Sequence, residues 1–310
     1  MSATHRPPGA LARFLDSDFF YTYRRSPIAL VSSAIAAICV IGALLAPWIS
    51  PHDPFDLASL NLLDSFKPPS FLAEGDRAYP LGTDDQGRDL LSGIIYGARI
   101  SLMVGIFSVA LALVVGIGIG LLAGYLGGFV DAVLMRSADV QLTFPAILIA
   151  LLVDGIARAL LPRELHEAME LYVLIFAIGI SLWPQFARTV RGSTLVERGR
   201  EYVMAARVIG LSSPRIMLSH ILPNVLGPVL VIATINLGQA ILIEAALSFL
   251  GVGLPPTQPS LGTLIRIGND FLFSGEWWIT VFPSIGLAVM VLAINLFGDW
   301  LRDALNPRLR

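Results

Sequence analysis

The stretch from Ile100 to Tyr125, ISLMVGIFSVALALVVGIGIGLLAGY, carries no charged residue and decides the architecture. A bilayer core about 30 Å thick is crossed by roughly 20 helical residues, and this run exceeds that length. A helix is the form in which a single segment pairs all its backbone groups without water. Within the run and just beyond it, Gly116, Gly120, Gly124 and Gly128 recur at every fourth position. That spacing places them on one helix face, where backbones can approach closely, and predicts a packing seam. Gly118, Gly120 and Ala123 also satisfy a dinucleotide-binding fingerprint, but that motif requires a preceding strand and a soluble βαβ unit, so here it is accidental.

Working outward, five more apolar stretches predict spans at about Pro27 to Ile49, Ala132 to Val153, Leu171 to Phe186, Ile221 to Leu250 and Ile279 to Trp300. Pro184 interrupts the fourth span, and Pro223 and Pro228 sit near the start of the fifth. The first span is too long for a signal-peptide core and is expected to remain as an anchor. Composition agrees. Of 310 residues, 55% are hydrophobic and 14% charged, with mean hydropathy +0.73, where a soluble protein carries about 25% charge. The expected fold class is an all-α membrane protein of six transmembrane helices. A balance of 21 basic and 23 acidic residues speaks against a nucleic-acid partner. Cys39, the only cysteine, excludes an internal disulfide and a cysteine-built metal site.

Basic residues orient the spans, because loops rich in Lys and Arg stay in the cytoplasm. With both ends inside, the cytoplasmic set is Arg6, Arg13, Arg24, Arg25, Arg136, Arg188, Arg191, Arg198, Arg200, Arg207, Arg215, Arg302, Arg308 and Arg310. Outside lie Lys67, Arg77, Arg88, Arg99, Arg158, Arg163 and Arg266. The resulting organisation is a cytoplasmic tail (1–26), a first span (27–49), an extracytoplasmic segment (50–99), a five-helix core (100–306) with a cytoplasmic loop (188–220), and a short cytoplasmic tail (307–310).

That cytoplasmic loop holds six arginines and no lysine. Glu201 to Ile209 reads as a short helix with Tyr202, Ala205, Ala206 and Ile209 on one face. Gly210 stops it, Ser213 is the expected N-cap of a second helix, and Pro214 opens that helix. Two readings stand: a helix built to dock on a partner, or an exposed helix of good helix formers. On the outer side, Thr83-Asp84-Asp85-Gln86 has capping-box spacing, followed by Leu90, Leu91, Ile94, Ile95 and Ala98 at helical period. This predicts an amphipathic helix lying on the outer membrane face. Asp84, Asp85 and Asp89 lack EF-hand spacing, so no metal is assigned.

Lys67 is the only lysine, and its surroundings do not form a Walker A motif, so this chain has no P-loop for ATP. His166-Glu167 has Glu170 where a zinc motif needs a second His, and His5, His52 and His220 have no clustered partners. No catalytic residue is assigned. Glu244 is the clearest ionisable residue within a span, with Asn224, Asn236 and Gln239 earlier on the same stretch. It either faces a translocation pathway or reaches toward the headgroups. Asp131, Arg136 and Asp139, at the inner end of the third span, are expected to form an internal ion pair.

The segments Leu81-Gly82-Thr83-Asp84-Asp85-Gln86-Gly87-Arg88-Asp89, Tyr96-Gly97-Ala98-Arg99-Ile100-Ser101, Ala123-Gly124-Tyr125-Leu126-Gly127-Gly128, Glu201 to Arg207 with Gly210, Leu247-Ser248-Phe249-Leu250-Gly251 and Asn295 to Asp303 together resemble the C-type permease subunits of dipeptide and oligopeptide ABC importers. The likeness runs from Arg24 onward. It implies the type I importer permease fold, a bacterial inner-membrane location, and a coupling helix in which Glu201, Ala205, Ala206 and Gly210 contact a cytoplasmic ATPase. It also implies as partners a homologous second permease, two ABC ATPase subunits that bind the ATP and magnesium, an extracytoplasmic solute-binding protein, and membrane lipid; no cofactor is expected in this chain. Glu244, Asn236 and Gln239 are the candidate pathway residues. Met204, Leu261 and Ser284 depart from residues common in that family. A self-sufficient secondary transporter or channel is the rival reading, disfavoured by sparse intramembrane charge.

Overall fold

The computed structural model describes residues 18–54, 61–255 and 258–304. Their secondary structure is helical apart from turns and one isolated bridge between Thr83 and Asp89. Twelve helices are numbered here: α1 (Asp18–Arg25), α2 (Pro27–Leu44), α3 (Ala46–Ile49), α4 (Leu90–Leu126), α5 (Gly128–Leu142), α6 (Ala146–Leu160), α7 (Arg163–Arg198), α8 (Glu201–Val208), α9 (Ser213–Ile216), α10 (Leu222–Phe249), α11 (Leu261–Phe271) and α12 (Trp278–Ala304). A π-helical turn, Met217–Ile221, joins α9 to α10. The segments 27–44, 90–126, 168–198, 213–249 and 278–304 are each long and apolar enough to cross a membrane, and α5 with α6 forms a sixth, bent pair. An all-α membrane protein is therefore what the chain builds.

Local chemistry explains the ends. Ser26 caps α2 by accepting from the Ala29 amide, and Pro27 opens the helix. Asp89 caps α4, its carboxylate accepting from the Ser92 amide at 2.9 Å. Two expectations are corrected here. The capping residue is Asp89, not Thr83, and the apolar residues from Leu90 are not a separate surface helix but the first turns of a continuous α4. The amphipathic helix on this side is α11, capped by Ser260.

The predicted third span is also corrected. A helix break at Thr143, Phe144 and Pro145 bends α6 by 95° from α5, because proline clashes with a helical conformation in the residue before it and lacks an N–H. By contrast α7 runs unbroken through Pro184 to Arg198. Residues 188–198 are therefore the end of a span-forming helix, and the connecting segment begins at Gly199.

The core lies between α4, α7 and α10. In the glycine seam, a Cβ on Gly116 would sit 2.4 Å from the Phe186 Cβ, one on Gly120 2.6 Å from the Val190 Cβ, and one on Gly124 2.7 Å from the Thr194 Cβ. The seam thus joins α4 to α7. Gly128 is not part of it: open space surrounds that position, and its positive φ starts α5 after a sharp corner. A second close approach sets Gly238 of α10 on Asn295 of α12.

The Tyr23 ring meets the Trp300 ring edge-on, centroids 5.3 Å apart. That contact puts the ends of α1 and α12 at one end of the bundle. Gly298 packs on Thr234 and Gly238 on Asn295, so α12 runs antiparallel to α10 and finishes at the end of the bundle where α10 begins. At the opposite end, residues 61–89 form a cap on α11 and α12: the Trp278 indole donates to the Thr83 carbonyl at 3.2 Å, and Phe66 stacks edge-on with Phe271.

Candidate functional site

The elbow between α7 and α10 is built from α8, α9 and the π-turn. Val203 and Ala206 are buried in the same cluster as Tyr125, Ile216 and Ile221, and this attachment points the rest of α8 outward. Glu201, Tyr202, Met204, Ala205, Val208 and Ile209 are exposed, Val208 at 87% and Ile209 at 74%. The face expected from periodicity is corrected by one residue of decisive consequence. Ala206 does not share a face with Tyr202, Ala205 and Ile209; it seats α8 on its own chain.

Gly210 has φ +79°, a conformation that L side chains rarely adopt. The backbone closes there through Leu211 N–H to the Ala206 carbonyl at 3.1 Å and Gly210 N–H to the Arg207 carbonyl at 3.0 Å. The next helix has Ser212 at its N-cap position, one residue before the expected Ser213 and without a side-chain bond to the helix, and Pro214 in its first turn. Thus the corner is a glycine stop followed at once by a proline start.

Several of the arginines expected to characterise this region are engaged internally. Arg191 makes two hydrogen bonds to Asp131, and Arg188 lies 3.8 Å from Asp139. The ion pairs of Asp131 and Asp139 therefore run from α5 to α7, a correction to the expectation of pairing with Arg136. Arg198 donates to the Gly124 and Tyr125 carbonyls, satisfying the C-terminal end of α4. Arg207 lies over the Tyr125 ring at 4.9 Å. Asn224 donates to the Tyr202 hydroxyl at 3.1 Å, and that hydroxyl donates to Glu197. Burial, reinforced by the Glu197 carboxylate, holds the Tyr202 phenol above its ordinary pKa. Together these contacts tie the elbow to the ends of α4, α7 and α10.

The candidate pathway residues on α10 do not converge. Glu244 is fully buried, accepting from Ser101 of α4 and Ser248 of α10, each at 2.7 Å. The Leu261 amide completes the node by reaching Ser101 at 3.4 Å. Within this chain, then, Glu244 does not reach toward headgroups; it joins three helices. Asn236 is buried too and donates to the Ile232 carbonyl, whereas Gln239 is exposed. Sequence pattern gave no sign of this node, since Ser101 and Glu244 lie 143 residues apart.

In the cap, Lys67 pairs with Asp64 at 2.6 Å and Asp76 at 2.9 Å. The Asp64 bond, followed by that to Asp76, raises the lysine pKa. Asp64 is held low chiefly by Lys67, and Asp76 by the Ala78 amide and then Lys67. Asp84 accepts from the Gln86 and Arg88 amides and from the Arg88 guanidinium. These carboxylates fold the cap. Among the described residues no group of three or more His, Cys, Asp or Glu is arranged to hold a metal.

Comparisons with known proteins agree along the whole chain. Residues 116–310 match the model of the binding-protein-dependent transport system inner membrane component, and residues 16–69 match the N-terminal TM domain of oligopeptide transport permease C. The chain is 37% identical to the di/tripeptide transport system permease protein DppC of Pseudomonas aeruginosa, over 100% of this chain and 99% of that protein. It is 36% identical to the dipeptide transport system permease protein DppC of Haemophilus influenzae, over 94% and 95%. It is also 34% identical to the oligopeptide transport system permease protein OppC of Bacillus subtilis, over 94% and 90%.

Proposed function

The chain belongs to the family of binding-protein-dependent transport system inner membrane components, and on that premise we propose how it works within a peptide importer. It is a membrane-embedded permease subunit of an ABC transport system. It forms half of a translocation path for peptides, the other half coming from a homologous permease. Two cytoplasmic ABC ATPases bind ATP and magnesium and perform the hydrolysis. An extracytoplasmic solute-binding protein delivers the solute to the end that carries the 61–89 cap.

The observation that carries this reading is the elbow. Val203 and Ala206 fasten α8 to the bundle while Met204, Val208 and Ile209 project apolar surface away from it. Such a rigidly mounted apolar projection suits a cleft in a partner. Glu201, Ala205 and Gly210 are the coupling residues on its exposed side, and Ala206 acts by seating the helix. Both termini lie with the elbow in the cytoplasm, in keeping with the excess of arginine at that end. When ATP draws the ATPases together, the elbow moves with them, α7 and α10 follow because α8 is joined to one through Gly199 and Arg200 and to the other through the α9 corner, and the path opens to the other side.

The test is reconstitution. Proteoliposomes holding both permeases and both ATPases, with the binding protein outside, are expected to accumulate labelled dipeptide only with ATP inside. Accumulation driven by an ion gradient in the absence of ATPases would contradict the reading.

A further inference from the structure

Pro184 sits inside α7 without ending it, and a neighbouring helix supplies the donor that it removes. A proline has no N–H, so the carbonyl four residues earlier, that of Ile180, loses its helical donor. Gln141, in the last turn of α5, donates its side-chain amide to that carbonyl at 2.5 Å. The other end of the same amide accepts from the Trp183 indole at 2.9 Å. Trp183 is buried in an apolar cluster with Ala138 and Ala187, flanked by Met135 and Ile180, so its N–H has need of a partner. One glutamine therefore satisfies two groups that the proline region leaves open.

The position of this clamp is as informative as its chemistry. Gln141 lies immediately before the 95° bend between α5 and α6. Pro184 lies in the helix whose far end, Arg198, runs through Gly199 and Arg200 into α8. From Pro184 to Arg198 is about 21 Å along a helix axis, at roughly 1.5 Å per residue. Between Pro184 and the elbow, α7 is held by Gly120 against Val190, by Gly124 against Thr194 and by the Arg191–Asp131 pair, so that stretch moves as one stiff piece. A proline-weakened point in such a rod is where bending concentrates.

We propose that Gln141 is a positioning residue that supplies the donor Pro184 removes, making that point of α7 a hinge and passing its motion to the α5–α6 bend. This rests on the permease reading, in which the elbow is the moving end. The hinge keeps its buried groups paired as it bends, because the amide on a flexible side chain can follow the Ile180 carbonyl where a backbone N–H cannot. Loss of the amide leaves a buried carbonyl and a buried indole N–H without partners.

The test uses the assembled complex of two permeases and two ATPases in nanodiscs, with spin labels at Phe144→Cys and Val196→Cys in a Cys39→Ser background. Addition of ATP is expected to shift the distance between the labels. Gln141→Leu should lower the thermal midpoint and abolish the shift while ATP is still hydrolysed. Adding Pro184→Ala to Gln141→Leu restores a backbone donor to Ile180, so the midpoint should recover, yet the shift should stay absent because the hinge has been stiffened. An undiminished shift in Gln141→Leu overturns the hinge. A midpoint that Pro184→Ala does not restore overturns the donor replacement. If Gln141→Leu alone fails to assemble, the Gln141→Leu/Pro184→Ala pair is read by itself, and an undiminished shift in that pair overturns the hinge equally. A complex that hydrolyses no ATP refutes the proposed function instead, so the two failures are distinguishable.

Discussion

Gly116 of α4 meets Phe186 of α7 so closely that a β-carbon at position 116 would lie 2.4 Å from the Phe186 Cβ and 2.9 Å from the Trp183 carbonyl oxygen. No side-chain rotation relieves a clash with backbone. Gly116→Val is therefore expected to cost about 1 to 3 kcal/mol or more through overpacking. Gly118, two residues along, has nothing within 4 Å, and Gly118→Ala should gain about 0.5 to 1 kcal/mol by helix propensity. Thermal midpoints of the two variants in detergent check the pair; equal effects would mean that the seam does not hold α4 to α7.

Glu244 is the acceptor on which Ser101 and Ser248 converge. Glu244→Leu strands those hydroxyls in a dry site and should destabilise the chain by about 1 to 3 kcal/mol. Glu244→Gln retains an acceptor and, with hydroxyls free to rotate, should keep most of the stability. Chemical denaturation of both variants checks this. A Leu variant as stable as the Gln variant would show that the node contributes nothing.

The Asp64, Lys67 and Asp76 cluster predicts a pH dependence with a definite sign. Carboxylates held below their ordinary pKa contribute stability that is present above the unfolded value, near 4, and lost as pH falls through the lower folded values. Lys67, held above its ordinary value, contributes fully below about 10.5 and loses its effect as pH rises through its raised folded pKa. The 61–89 cap should hence loosen selectively at acid pH, seen as faster amide exchange there. Lys67→Met should reduce that dependence, chiefly the share of Asp64, while the Ala78 amide still holds Asp76 low; an unchanged acid profile would speak against the cluster.

Exposure and helix direction also set a topology test. Phe273 is 98% exposed beside the cap and Val208 is 87% exposed on the elbow. In a Cys39→Ser background, an impermeant thiol reagent applied to intact cells should label Phe273→Cys and spare Val208→Cys. The reverse pattern would invert the orientation.

Much of this architecture is written in local pattern. Apolar length marked the spans, and Gly210 followed by Pro214 marked the corner, because those signals act locally along the chain. What stayed hidden depends on distant partners. Pro145 and Pro184 look alike in sequence, yet one follows a helix break and the other lies within a continuous helix, where the donor to the Ile180 carbonyl comes from Gln141 of another helix. The inward face of α8 was misread by a single residue, because eight residues give two turns and the burial of Val203 and Ala206 is decided by Ile216 and Ile221 beyond the corner. Glu244 drew notice as an ionisable group in an apolar run, but its environment is supplied by α4 and the start of α11. The arginines marked the cytoplasmic side in sequence, but that Arg191 and Arg198 bond within the bundle is visible only in the fold.

The central claim is that the elbow passes ATP-driven motion into the membrane helices, and Gly210 isolates it. No atom lies within 4 Å of a Cβ added there, so only the backbone at φ +79° resists a side chain. Asparagine tolerates that conformation and valine does not. The measurement is peptide carried per ATP hydrolysed in proteoliposomes of the complete complex, for Gly210→Asn and Gly210→Val. The account predicts near-normal coupling for Asn, and for Val a loss of uptake with hydrolysis uncoupled or the ATPase released. Normal coupling in Gly210→Val would contradict it.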